Sequence, residues 1–329
     1  MDRRHFLQTG LAAMALSQLG GTEALAAGKN KKEQAQAFGP VTCENVAAGP
    51  QDLLVRFLGS GAAGWKPGST IDRRNSSVLL DGKVLIDFTL SVTDMLPEGC
   101  RPEHIFYTHS HPDHYQPLQA LKLGVKHVYI SETWVDMAKY EFMRIAAEQK
   151  LPMPKMHPLM IGVPLTVEDL TFTPLPANHT TNFYQEQAQI YLVEKGTTEQ
   201  HLGVRLLYAT DTGSIMGKAS RLAGIDTHKS DIPPRPITGF IMEGTLGKAD
   251  YRMFNHSTPE LVALIAEVLA HGKRYTPPAG QPVYITHMGH SVYDREYGHK
   301  WSQEELNARL PNPVRAAYDG LEVVFRAVD

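Results

Sequence analysis

Four side chains of the kind that bind metals lie within six residues of this chain, at His109, His111, Asp113 and His114. They follow a short apolar run that begins at His104 and precede a helical pattern over 117–123, so we expect them where a strand ends and a helix begins. Neutral imidazoles and a carboxylate in such a place suit zinc, manganese or iron. His109 and His111 can share one ion, and Asp113 and His114 can hold a second. A polar surface loop is the alternative in a chain with 15 histidines, but the H-x-H-x-D-H spacing after a β-type run is a narrow pattern.

The motif resembles that of the metallo-β-lactamase fold superfamily, and the further ligands that this resemblance implies are matched in chain order. Each match directly follows an apolar, β-like run: Asp87, His179, Asp211 and His287. The resemblance implies one metal held by His109, His111 and His179, another held by Asp113, His114 and His287, and Asp211 as a bridge between them. It implies two divalent transition metals, zinc or manganese, with iron also admitted. Two such ions can share a water and convert it to hydroxide near neutral pH.

Two further residues are expected to support the ligands. Asp87 is expected to accept a proton from a ligand imidazole and so fix the tautomer of that ring. Its alternative role is to cap its hairpin strand. His290, three residues after His287, is a further candidate for a group behind the ligands.

The apolar runs fall into two groups, each followed by helical patterns, which indicates two mixed sheets with helices outside. The resemblance implies the complete α+β architecture, a four-layer αββα sandwich. The segment 213–236 is punctuated by Gly and Pro and is predicted to be a variable lid or insertion.

Two Asp-Gly pairs between apolar runs predict hairpins, Asp81-Gly82 and Asp319-Gly320. The first hairpin would deliver Asp87 to a strand end. A helix is predicted over about 132–150 from its apolar periodicity. Its expected inward positions are Trp134, Met137, Ala138, Met143 and Ile145.

The N-terminus resembles a twin-arginine export signal, with Arg3-Arg4 followed by a mildly apolar run and an Ala24-Leu25-Ala26 cleavage site. The expected organisation is a signal peptide over 1–26, a tether over 27–50 and one hydrolase domain over 51–329. The apolar run is too short to span a bilayer, so the mature chain is expected to reach the periplasm through the twin-arginine machinery without a membrane span. An ordinary amphipathic helix with a chance arginine pair is the alternative.

The charge and cysteine content exclude some classes of protein. The chain has 32 Lys and Arg against 35 Asp and Glu. This balance disfavours a nucleic-acid partner, because proteins that bind nucleic acids usually carry an excess of basic residues. Two cysteines, Cys43 and Cys100, are too few for a disulfide scaffold or a cysteine-based zinc site. The sequence leaves open whether they pair.

The last third of the chain narrows the resemblance to the cyclic phosphate phosphodiesterases of the phosphonate-utilisation type. The segments that carry it are 239–244, 254–261, 286–290 and 318–322. This resemblance implies that His256 is the general acid, acting with the ligands Asp211 and Asp113 at the catalytic centre. A solvent-exposed neighbour of a helix cap is the alternative for His256. The loop 59–76 has no cysteine, so no structural zinc is expected there.

The sequence therefore predicts an exported dinuclear metal-dependent hydrolase that cleaves phosphodiesters, including cyclic phosphates as candidates, and acts on a small anionic substrate. A second interpretation keeps the site and changes the bond to a lactone, a β-lactam or another ester. A third, from another class, is a non-catalytic metal-binding protein. The natural substrate, the metal identity and the oligomeric state do not follow from the sequence.

Overall fold

Two seven-stranded mixed sheets form the centre of the protein in the computed structural model, which describes residues 48–226, 234–296 and 299–329. The first sheet has the order β16 (Glu322–Phe325), β1 (Leu53–Gly59), β2 (Ser77–Leu80), β3 (Val84–Ile86), β4 (His104–Phe106), β5 (His127–Ser131), β6 (Lys155–Leu159). Strands β3 to β6 run parallel, and β16, β1, β2 and β3 pair antiparallel. The Asp81-Gly82 hairpin is confirmed: it joins β2 to β3 with φ of 48° and 70° at its two turn residues.

The second sheet has the order β15 (Val314–Ala316), β12 (Val283–Thr286), β11 (Gly239–Glu243), β10 (Val204–Ala209), β9 (Gln189–Lys195), β8 (Leu170–Pro176), β7 (Leu165–Val167). Strands β10, β11, β12 and β15 are parallel, and β8 points the same way because it is separated from β10 by the antiparallel β9. A small separate ladder joins β13 (Asp294–Glu296) to β14 (His299–Lys300). The carboxyl ends of β8, β10, β11 and β12 therefore share one edge of the sheet.

Six α-helices lie in the described residues: α1 (Pro117–Leu123), α2 (Val135–Gln149), α3 (Gly217–Leu222), α4 (Pro259–His271), α5 (His290–Tyr293) and α6 (Gln303–Arg309). Their ends follow the expected chemistry. Thr258 caps α4 by accepting the Leu261 N–H, and Ser302 with Glu305 forms a reciprocal capping box at α6. Two 3-10 helices, Leu90–Met95 and Tyr251–Phe254, complete the helical elements.

The main core lies between the two sheets, where side chains such as Phe106, Phe172 and Tyr191 are buried and in ring contact. A second core fills the space between the first sheet and helices α1 and α2, with Ala138 and Phe142 at its centre. Helix α4 packs against β12 and β15 of the second sheet. The layering is helix, sheet, sheet, helix, so the predicted α+β αββα sandwich is confirmed.

Two predictions about local structure were wrong. The run before Asp319-Gly320 forms β15 in the second sheet, whereas the run after it forms β16 in the first sheet, so this turn crosses between sheets and makes no hairpin. On α2, Met137 and Met143 are 39% and 52% exposed. The buried residues of this helix are Ala138, Phe142 and Ala146, which are spaced four residues apart and lie on one face.

The organisation predicted for the N-terminus remains a prediction, because its signal and most of its tether lie outside the described residues. The described ranges all fall in the compact unit Pro40–Asp329. Within them, no helix combines the length and the apolar character that crossing a membrane requires. Part of the predicted lid, residues 227–233, also lies outside the described ranges, and α3 forms within the remainder.

Candidate metal centre

The seven predicted ligands come from loops that follow the carboxyl ends of strands in both sheets. The histidine-rich loop follows β4, and the other three residues follow β8, β10 and β12. All seven side chains therefore lie at the same end of the two sheets. They are His109, His111, Asp113, His114, His179, Asp211 and His287. We call this group the ligand cluster.

Among the groups of three in the ligand cluster whose ligand atoms lie close enough to share an ion, two match the predicted groups. The ligand atoms of His109, His111 and His179 all lie within 4.8 Å of one another, and those of Asp113, His114 and His287 do so as well. In the first group His111 Nδ1 and His179 Nε2 are 3.3 Å apart. In the second group His287 Nε2 and Asp113 Oδ2 are 3.3 Å apart. These are the two groupings that the sequence predicted.

Asp211 lies between the two groups. Its Oδ2 is 3.0 Å from His114 Nε2 and 3.3 Å from His287 Nε2, whereas its Oδ1 is 3.7 Å from His179 Nε2. One carboxylate oxygen thus faces each group. This is the position expected of a bridging carboxylate.

The backbone is in the left-handed region at three strand ends of the site. Asp87, Asp211 and His287 have φ of 58°, 51° and 50°, values that residues other than glycine adopt with some strain. Each of the three directly follows a strand, β3, β10 or β12, or is one residue removed from it. The reversal of the chain turns these side chains toward the shared edge of the sheets.

Hydrogen bonds fix the far sides of several ligand rings. Asp87 is fully buried, and its Oδ2 accepts from His114 Nδ1 at 2.8 Å and from the Thr108 hydroxyl at 2.8 Å. Thr245 Oγ1 lies 2.9 Å from His287 Nδ1, and the backbone oxygen of Asn255 lies 3.2 Å from His179 Nδ1. A ring held through Nδ1 presents Nε2 to the cluster, which is how metal-binding histidines are usually oriented.

The electrostatics of the cluster favour a cation. Burial and neighbouring imidazoles hold the pKa of His109 well below its usual range, so this ring is neutral, which is the form that binds metals. Burial also opposes a charge on His114, but Asp211, Asp113 and Asp87 outweigh it and raise the pKa of His114 well above its usual range. Burial would raise the pKa of Asp211, but the surrounding imidazoles lower it well below its usual range. Carboxylates that attract a proton to this place attract a metal ion equally.

The residues present fit a pair of divalent transition metals. His109 is fully buried, and its Nε2 has no hydrogen-bond partner among the described residues. An unpaired buried nitrogen is costly unless another group binds it. Five imidazoles and two carboxylates are also the donor set that zinc, manganese or iron accepts.

His256 lies beside the ligand cluster. Its Nδ1 is 2.9 Å from Glu243 Oε2 and 3.9 Å from Asp211 Oδ1, and its ring is 5.0 Å from that of His179. Burial would lower the pKa of His256, but Glu243 and then Asp211 raise it above the usual range. A histidine whose charged form is favoured next to the centre can donate a proton.

Glu243 and Glu186 were missed by the sequence analysis. Glu243 is fully buried and also accepts from the Thr212 N–H and the Thr245 hydroxyl. It follows the rule of the predicted ligands, an acid at the end of a strand, so this signal could have found it. Glu186 accepts from the Ser110 N–H at 2.7 Å and from the Ser110 hydroxyl at 2.5 Å. No local pattern marks Glu186.

His290 contacts two acids outside the ligand cluster. Its Nε2 is 3.1 Å from Asp72 Oδ1, its Nδ1 is 3.7 Å from Asp294 Oδ2, and the side chain is 48% exposed. Among the described residues, neither of these two contacts involves a predicted ligand, so they do not support the role predicted for His290.

Comparison with known proteins supports this description of the fold. Residues 87–273 match the model of a protein family described as the beta-lactamase superfamily domain. This range contains every predicted ligand except His287. A comparison with curated protein sequences gives no match to this chain.

Three solved structures resemble the chain along almost their whole length. A diphosphatase of the PhnP family is 24% identical, with 84% of this chain and 99% of that chain covered and a TM-score of 0.57. Zinc-bound PqqB from Methylobacterium extorquens is 16% identical, with 82% and 99% covered and a TM-score of 0.57. Yeast PDE1 in its unliganded form is 12% identical, with 83% and 99% covered and the same TM-score of 0.57. At these identities the likeness concerns the fold.

Proposed function

This chain belongs to the beta-lactamase superfamily domain family, and we propose that it is a dinuclear metal-dependent hydrolase that cleaves phosphodiesters, cyclic phosphates among them. The seven residues of the ligand cluster would hold the two ions in the groups of three described above, with Asp211 between them. Two bound divalent cations would acidify a water and neutralise charge on phosphate oxygens. The substrate would be a small anionic molecule.

The observation that carries the choice of a phosphodiester is the pair formed by His256 and Glu243. Cleavage of a phosphodiester expels an alkoxide or phenoxide, and a proton delivered to this oxygen makes it a better leaving group. Glu243 occupies Nδ1 of His256 and favours the charged ring, which leaves Nε2 to deliver the proton. The two side chains are positioned by elements outside the ligand loops, β11 and the segment before α4.

The substitution His256→Ala tests this proposal. With a dialkyl or cyclic phosphodiester, whose leaving alkoxide needs a proton, we expect kcat to fall by about 10²- to 10⁴-fold, the usual contribution of a positioned general acid. With bis(p-nitrophenyl) phosphate, whose leaving phenolate is stable without a proton, the fall should be smaller. The metal content, measured by elemental analysis, should be unchanged because His256 lies outside the two groups of ligands. His271→Gln, an exposed histidine at the end of α4, is the control. Full activity on lactones with none on phosphodiesters would contradict the phosphodiesterase proposal and would favour an ester hydrolase that uses the same site.

The same protein is proposed to be exported to the periplasm. Support comes from the N-terminal sequence alone, with its Arg3-Arg4 pair, short apolar run and Ala24-Leu25-Ala26 site. Replacement of both arginines by lysine should retain the protein in the cytoplasmic fraction, as measured by fractionation and immunoblot. Unchanged periplasmic recovery of the doubly substituted protein would contradict the twin-arginine route.

A further inference from the structure

Three histidines stand side by side at the other edge of the first sheet. His104 begins β4, His127 begins β5, and His157 lies on β6 across from Tyr129. The ligand cluster follows the opposite, carboxyl end of β4. We call His104, His127 and His157 the histidine row. It is separated from the ligand cluster by the stacked rings of Phe106 and Tyr129.

The row faces the space between the two sheets. Its residues share the strand face of Phe106, which stacks on Phe172 of the second sheet at 4.0 Å. All three histidines are half-buried. His104 stacks on His127 with 4.8 Å between ring centroids and 9° between planes, and His157 stacks on Tyr129 at 4.6 Å. The imidazoles are therefore held in place by packing.

Two nitrogens in the row point at each other. His127 Nδ1 and His157 Nε2 lie 3.0 Å apart. Zinc binds imidazole nitrogen at about 2.0–2.1 Å, so two nitrogens on one ion lie roughly 3.0–3.4 Å apart. The corresponding separation in the ligand cluster, between His111 Nδ1 and His179 Nε2, is 3.3 Å. The pair lies at hydrogen-bond distance, and the same spacing is compatible with two ligands to one ion.

From this geometry we propose that His127 and His157 bind a divalent transition metal of the zinc and copper type at a second site, separate from the ligand cluster. His104 supports the site because its ring stacks on His127 and its Nδ1 lies 3.1 Å from the Tyr129 hydroxyl. Imidazole pairs suit zinc, copper and nickel, and solvent supplies the remaining ligands. The site does not depend on the proposed hydrolase activity.

The charges around the row are mixed. Glu168, on the turn between β7 and β8, lies 3.6 Å from His104 Nε2 and supplies a negative charge. Glu103 pairs with Lys126 at the start of β5. Burial, and then His127 and Lys155, lower the pKa of His157. The positive charge of Lys155 also opposes a bound cation. A lowered pKa keeps His157 neutral at pH 7, as a metal ligand must be.

Metal stoichiometry tests the site without reference to catalysis. Untagged mature protein, already loaded with its resident metals, is dialysed against excess Zn²⁺ at pH 7.5, and zinc per chain is measured by elemental analysis. His127→Gln and His157→Gln should each contain one equivalent less than the unsubstituted protein. The control His201→Gln, at an exposed histidine far along the chain, should lose none. The difference of one equivalent is expected whether or not the ligand cluster binds two ions.

Equal zinc content in all four proteins would overturn the proposal and leave the pair as a hydrogen bond. Circular dichroism shows whether the variants fold. Crystals of the unsubstituted protein soaked in Zn²⁺ give a measurement that needs no variant. An anomalous peak between the rings of His127 and His157 at the zinc edge is expected, and its absence in crystals with zinc bound elsewhere would equally contradict the site.

Discussion

The ligand cluster and the histidine row lie at opposite edges of one sheet, and their imidazoles are held in different ways. In the ligand cluster, imidazoles are fixed by hydrogen bonds to residues outside the cluster, as His114 is fixed through its Nδ1 by Asp87. In the row, His127 and His157 contact each other, and stacking holds their rings. The partner of the second ring nitrogen therefore decides how firmly a histidine site is preorganised. We expect the cluster to bind metal more tightly than the row.

Removal of Asp211 should have the largest effect, because this carboxylate faces both halves of the cluster. Asp211→Ala is expected to lower kcat on bis(p-nitrophenyl) phosphate by roughly 10³-fold, the upper end of the cost of losing one electrostatic contributor. The metal content of the cluster should fall as well. Glu148→Ala, at an exposed position on α2, is the control. A variant that keeps both ions and normal turnover would show that Asp211 does not bridge.

The two sites should differ in how well they retain metal at acidic pH. Imidazoles have a usual pKa of about 6.5 and bind metals only when neutral. The affinity of the histidine row should therefore fall as the pH falls, by up to about tenfold per pH unit for each ring that becomes protonated. The cluster should retain its ions to lower pH, because its imidazoles lower the pKa of Asp113 and Asp211 despite their burial, and these carboxylates stay charged. Elemental analysis after dialysis at pH 5.5, 6.5 and 7.5 checks this order, and simultaneous release from both sites would contradict it.

The orienting role of Asp87 predicts a smaller change. Asp87→Asn keeps the size of the side chain but loses the charge that holds His114, so metal affinity should fall by about 10- to 100-fold, as is usual for such partners. Competition with a chromophoric chelator measures the affinity. Asp94→Asn, at an exposed ion pair with Arg74, provides the matched control. If Asp87→Asn bound metal as the unsubstituted protein does, the aspartate would only cap its strand.

The smallest effect is expected at Glu186, which connects the loop after β8 to the histidine-rich loop. Glu186→Gln leaves one acceptor oxygen for the two donors of Ser110. We expect metal affinity to fall about fivefold, which corresponds to about 1 kcal/mol for one hydrogen bond. Ser110→Ala removes one of the same donors and should have an effect of similar size. A large loss in Ser110→Ala with none in Glu186→Gln would assign the role to another partner of Ser110.

Much of the ligand cluster could be predicted from the sequence because its motif resembles that of a known superfamily and the further matches obey a local rule. His179, Asp211 and His287 each follow an apolar run, and in parallel strands such positions meet at one edge. Glu186 obeys no such rule. It reaches Ser110 only after the chain has folded, 76 residues apart in sequence.

The wrong predictions share a cause. The Asp319-Gly320 signal describes a turn, but the sheet that each flanking strand joins depends on contacts from distant segments. Asp319 accepts from the Ser60 N–H at 3.0 Å and the Arg74 N–H at 2.9 Å. Met137 and Met143 are apolar, yet the buried face of α2 consists of Ala138, Phe142 and Ala146. Hydrophobicity alone therefore did not reveal which face of α2 is inward.

The left-handed backbone at Asp87, Asp211 and His287 limits how this protein can be engineered. A designer who seeks thermal tolerance would replace such residues by glycine, which relaxes the main chain at positive φ. Here every one of those relaxations deletes a side chain on which the centre depends. This stabilising change is thus closed at these three positions, and added stability has to be sought elsewhere in the chain.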